Sequence, residues 1–234
     1  MLLIQAHHSI FELEQNHKDS LLWLQKKGVD YEYHSLQTLA ELCESHALDI
    51  QTTLTELNSA LLQKKLKKLQ EQGLHESILA NYENGLYGQQ SLKKIRQILS
   101  SPKKDSEFNK QFRALFDKLE KAYSSLLEKK EVVFYPFIQK LLLAKEEKRS
   151  LPQAQQHVTD KLLKGVEEAN RNFQKTYAQV KSLAETELKQ LAHYDSLGLI
   201  EALLAFEQIA AYQNHIDETI IYPKSLMLEA QLRL

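Results

Sequence analysis

The chain has 234 residues, with 30 Lys and Arg against 31 Asp and Glu, for a formal net charge of −1. That length supports a well-buried core in one or two domains, and the near-neutral balance gives no reason to expect nucleic acid or an acidic membrane surface as partner. A single cysteine, Cys43, excludes an internal disulfide framework, a zinc finger and a cluster held by the chain's own thiolates, and it fits a reducing cytoplasm.

Six Gly and four Pro, set against abundant Leu, Lys, Glu, Gln and Ala, favour long helices over sheets and predict an all-α fold. The start, MLLIQAHHSIFELEQ, has no basic n-region and breaks its apolar run at Gln5, His7 and His8, so it does not read as a signal peptide. No stretch approaches the roughly 18 apolar residues of a membrane span.

Residues 1–66 read as a small helical domain. Trp23 and Leu24 end an apolar face that Gly28 closes, because glycine accepts the left-handed backbone of a helix C-cap. Ser35 offers an N-cap for a helix over Leu36 to Cys43, and Asp49 caps one that carries Ile50, Leu54, Leu57 and Leu61 at helical spacing. Cys43 falls at an apolar position after Leu39 and Leu42, which predicts a buried, unreactive thiol. His7, His8 and His17 read as solvated or capping residues, and the Lys64, Lys65, Lys67, Lys68 run as the wet face of a helix.

Residues 74–234 carry four long amphipathic segments, about 74–100, 104–147, 152–192 and 196–231, punctuated at Pro102, Pro152 and Ala192–Gly198. Short joints between four such segments suggest an up-down-up-down bundle. In the second segment Phe112, Phe116, Leu119, Tyr123, Leu126, Lys130, Val133, Phe137 and Leu141 are spaced by three or four, so one charged residue interrupts an apolar seam. In the fourth, Leu203, Phe206, Ala210, Gln213, Asp217 and Ile220 place two polar residues on the core face. A polar group taken out of water costs several kcal/mol unless partnered, so both seams call for partners at mid-core. The alternative is a local rotation or π-bulge that lets Lys130 and Asp217 reach solvent. Tyr82, Tyr87 and Tyr123 lie near the same level and are expected to pack with their hydroxyls partnered.

Two stretches close alike: Leu126–Pro136 (LLEKKEVVFYP) and Gln213–Pro223 (QNHIDETIIYP) each run into Tyr-Pro, where proline predicts a kink or an end near Tyr135 and Tyr222. This frame resembles the second and fourth helices of hemerythrin-like bundles. The earlier stretch Gly28–Asp49 (GVDYEYHSLQTLAELCESHALD) is similar to the small N-terminal domain of bacterial iron–sulfur-cluster repair proteins, also described as regulators of cell morphogenesis and nitric-oxide signalling. Gly28, Asp30, Tyr31, Thr38 and Leu39 fall in register, while Glu32 and Tyr33 replace that family's cysteine pair and His34 and Ser35 its two glycines.

The resemblance implies a small helical domain followed by a hemerythrin-like bundle, and in the family the bundle holds two irons. Carried over by position, its ligands fall on Glu83 in the first helix, Leu126 and Lys130 in the second, His157 in the third, and Gln213 and Asp217 in the fourth. One histidine, His157, remains. Leu126 has no lone pair, and Lys130 puts a cation where a bridging anion belongs. The expectation is therefore a protein without a metal, in which the Lys130 ammonium binds Glu83 and Asp217 while Gln213 and His157 complete the hydrogen bonds. The alternative is an iron-binding protein with an altered, mononuclear site on Glu83, His157 and Asp217.

No Gly-rich phosphate loop, nucleophile elbow or zinc-protease motif is present, and no enzyme is expected. The resemblance implies a cytoplasmic binding or regulatory protein, acting in stress response or iron homeostasis with a protein partner or a second copy of the chain.

Overall fold

The computed structural model describes residues 3–31, 34–100, 107–152, 157–188 and 194–233, with the side chains of 107–109, 187–188 and 194–197 left aside. The joint at Pro102, the Ala192–His193 start of the third joint and the Glu32–Tyr33 pair lie outside these residues. Among the described residues all regular structure is helical, and no helix is long and apolar enough to cross a membrane. The chain divides into two compact units, Met1–Gln72 and Gly73–Leu234.

The first unit holds α1 (Ile10–Asn16), α2 (Lys18–Lys26), α3 (Leu39–Ser45) and α4 (Ile50–Gln72). Two capping boxes start α1 and α3: Ser9 pairs with Glu12 and Thr38 with Glu41, each side chain satisfying the other's backbone N–H. Ser35 was expected to cap α3, but its carbonyl instead accepts from Phe11 N at 2.9 Å. Thr38 wins because Glu41 stands three residues on, where it closes the reciprocal box, and nothing equivalent follows Ser35. Gly28 lies at φ +80 just beyond α2, and Asp49 Oδ1 accepts from Thr52 N at the head of α4, both as the sequence suggests. Ile10, Leu13, Leu21, Leu24, Leu39, Leu42, Cys43 and Leu57 form the core. Lys64 pairs with Asp19 on the exposed side of α4.

The second unit holds α5 (Leu74–Leu99), α6 (Glu107–Leu127), α7 (Tyr135–Glu146), α8 (Val158–Leu188), α9 (Tyr194–Ile216) and α10 (Tyr222–Gln231). Among the described residues two π turns interrupt it: π1 (Glu128–Phe134) between α6 and α7, and π2 (Asp217–Ile221) between α9 and α10. α5 runs along α9, and α6 along α8. Each π turn passes straight into a helix that begins Tyr-Pro. The proline has no N–H to give, so the switch in hydrogen-bond pattern leaves no donor stranded there.

The π turns move the buried stripe by one residue. Phe112, Phe116, Leu119, Tyr123, Leu126 and Lys130 are buried as their spacing predicts, but Val133 is 46 % exposed and Phe134, Tyr135, Ile138 and Leu141 continue the seam. An i→i+5 turn holds one extra residue, so the inward position after Lys130 falls four on, at Phe134, and no longer at Val133.

α5 meets this seam closely at Gly85 and Gly88. A Cβ on Gly88 would strike the Tyr123 hydroxyl and lie 2.7 Å from its Cζ, and one on Gly85 would strike the Glu131 carboxylate. Gly88→Ala should therefore cost about 1–3 kcal/mol, measured by urea denaturation. Adding Tyr123→Phe, which removes the clashing oxygen, should recover part of that loss.

Candidate functional site

The second unit has a connected polar centre within its core, and the two π turns build it. π2 opens with Asp217, fully buried, and π1 carries Lys130, 1 % exposed. Lys130 Nζ lies 2.6 Å from Asp217 Oδ2, in contact but out of hydrogen-bonding alignment. The other carboxylate oxygen, Oδ1, accepts from the Tyr135 hydroxyl at 2.8 Å and from Asn81 Nδ2 at 2.8 Å. α5 thus reaches the pair through Asn81, whose amide also lies 3.1 Å from the Gln213 carbonyl oxygen.

Gln213, 1 % exposed and one turn before Asp217, returns the bond: its Nε2 donates to the Asn81 carbonyl at 3.1 Å, and its Oε1 accepts from the Tyr123 hydroxyl at 3.3 Å. Asn84 Nδ2 approaches Asn81 Oδ1 at 3.5 Å. One connected network therefore ties α5, α6, π1, α7, α9 and π2 together around the Lys130–Asp217 pair. Connected networks of this kind hold register because a slip leaves several buried groups unpaired at once.

Glu131 stands beside the centre, half-buried, with Oε1 enclosed and unpartnered against Gly85. Burial raises its carboxyl above the ordinary carboxylate range, and the neighbouring Lys130 charge opposes this only in part. Burial and the Asp217 charge likewise push the Tyr135 phenol far up, so it stays a hydrogen-bond donor. Tyr82 donates to the Glu131 carbonyl at 3.0 Å.

The residues expected at a centre divide sharply. Lys130, Gln213 and Asp217 meet in the interior, and Leu126 packs there as plain core. Glu83 is exposed and accepts from Tyr87 at 2.9 Å, and His157 is exposed at φ +65 ahead of α8. The ammonium therefore pairs with Asp217 alone, and Asn81 takes the place expected of Glu83. Two residues along a helix turn a side chain to the far side, so Asn81 and Glu83 cannot both face inward. The sequence signal for Asn81 was its place in the stripe Ile78, Asn81, Gly85, Gly88, Leu92, Ile95, all buried.

These donors do not suit the di-iron group that the resemblance implies. The centre offers the Asp217 carboxylate with Glu131 half-buried beside it, three amides and phenols, and an ammonium already contacts the Asp217 carboxylate. Among the described residues no three His, Cys, Asp or Glu side chains gather closely enough to hold a metal ion. Cys43 is buried in the first unit, and burial pushes its thiol up, away from the reactive thiolate.

A second buried carboxylate lay outside the sequence reading. Glu229 Oε1 accepts from Val158 N at 3.0 Å, capping α8 from α10, and its Oε2 lies 3.1 Å from Arg233 Nη2. A carboxylate suits the positive end of a helix, and Arg233 balances its charge.

No protein-family model matches the chain, and no curated protein matches it.

The raised Glu131 carboxyl has a readable consequence. Between the ordinary carboxylate value and its own higher one, Glu131 holds a proton in the folded chain that the unfolded chain has released, so folding stability falls as pH rises through that window. Glu131→Gln should remove this part of the slope, read as the change of urea midpoint with pH. An unchanged slope would place the carboxyl in solvent.

Proposed function

We propose that residues 74–234 form a hemerythrin-like up-down-up-down bundle in which an ammonium–carboxylate pair takes the place of a di-iron centre. On this reading the chain is a metal-free binding or regulatory protein of the iron–sulfur-cluster repair type. It works in the cytoplasm, in stress response or iron homeostasis, through a protein partner or a second copy of itself.

One observation carries the proposal: Lys130 Nζ sits 2.6 Å from Asp217 Oδ2 with both side chains out of solvent. A fixed cation at that spot repels a divalent metal and occupies the carboxylate that would bind it. The paired frames support the architecture. Leu126–Pro136 and Gln213–Pro223 each deliver a polar side chain inward from a π turn and close on Tyr-Pro, as two ligand-bearing helices facing each other would.

Protein produced in iron-supplemented medium should carry far less than one iron, manganese or zinc per chain by elemental analysis, and should show no visible absorption from a bridged di-iron centre. Tight retention of two metals per chain would overturn the reading.

A further inference from the structure

We propose that Lys130 and Asp217 condense to an isopeptide bond, joining π1 to π2 through an amide between Lys130 Nζ and Asp217 Cγ. The inference goes beyond the functional reading at the same pair: where the bond forms, a neutral amide replaces the charge pair in the place of the metal centre and leaves no free carboxylate there for a metal.

Three features of the centre suit that reaction. The amine and the carboxylate are already in contact at 2.6 Å, and the approach is not that of a hydrogen bond. The carboxylate is polarised unevenly: Oδ1 takes two donors, Tyr135 and Asn81, each at 2.8 Å, while Oδ2, beside the amine, accepts no aligned hydrogen bond. Finally, both reacting groups are shut away from water, at 1 % and 0 % exposure, whereas every other described ion pair keeps at least one partner 28 % or more exposed.

The steps balance without an outside reagent. The Lys130 ammonium passes one proton to Asp217 Oδ2, which leaves a neutral amine beside a neutral acid. The exchange removes two buried charges at once. The nitrogen lone pair then adds to Cγ, forming the C–N bond and placing negative charge on Oδ1. Tyr135 and Asn81 donate to that oxygen, as preorganised donors do in an oxyanion hole. The new nitrogen gives up a second proton to the adjacent Oδ2. The Cγ–Oδ2 bond breaks and water leaves. Ammonium and carboxylate become amide and water, and nothing is oxidised or reduced.

The product would lock the Lys130 and Asp217 helices together through a bond that survives denaturation. It would also remove both buried charges while keeping a carbonyl oxygen for Tyr135 and Asn81 to bind.

The test is the intact mass of the purified full chain under denaturing conditions, followed by protease digestion. The expected mass is one water below that of the sequence, with a branched peptide linking Lys130 to Asp217. Lys130→Arg should restore the full sequence mass. A wild-type chain at full sequence mass, or a lost water located in a linear peptide such as an Asp217 succinimide, would overturn the proposal. Metal content measured on the same sample separates the two readings. A metal-free chain at full mass ends the crosslink alone, whereas a metal-loaded chain ends the metal-free reading as well.

Discussion

A lysine ammonium buried beside one carboxylate constrains everything around it. Neither charge reaches solvent, so each depends on the other, and the carboxylate depends also on neutral donors at hydrogen-bonding distance. That need explains Asn81 in the middle of an apolar helix, the inward Tyr135 hydroxyl and the reciprocal bonds between Gln213 and Asn81. It also explains why α5 carries Gly85 and Gly88, since the Glu131 carboxylate and the Tyr123 ring take the space that larger residues would fill. Removing one charge would strand the other at a cost several times that of an ordinary core hydrogen bond.

The π turns make this arrangement geometrically available. In an uninterrupted α-helix the stripe through Leu126 and Lys130 would pass next to Val133, leaving Tyr135 off the core face. The extra residue in π1 sends Val133 outward and brings both Phe134 and Tyr135 in. π2 does the same service after Asp217, where Ile220 and Ile221 are both buried. Wide turns of this kind are locally unfavourable and recur where a side chain must be aimed. Here two of them face each other, and each presents one half of the ion pair.

Much of this was legible in the chain. Composition and spacing gave the helical class, the caps at Gly28 and Asp49, and the inward placing of Lys130, Gln213 and Asp217, because interruptions of an apolar stripe at constant spacing are hard to read otherwise. The π turns entered only as a route for Lys130 and Asp217 to reach solvent, and they do the opposite: they keep both inside. Stripe analysis assumes one period along a segment, so it misplaced Val133 and passed over Phe134 as a core residue. On α5 the position-by-position carry-over fixed on Glu83, while the helix face ran through Asn81. His157 matched a motif, but its backbone leaves it exposed before α8 begins. Glu229 gave no warning, because its partner is the start of a helix remote in sequence.

The central claim is that Lys130 and Asp217 support each other inside the fold. A double-mutant cycle with Lys130→Met and Asp217→Leu, read by urea denaturation, tests it most directly. Each single change should cost about 3–5 kcal/mol by leaving an unpaired buried charge, and the double variant should regain most of that loss because apolar groups then meet. Independent effects that simply add, or single losses within about 0.5 kcal/mol of the parent, would show that the two charges do not depend on one another.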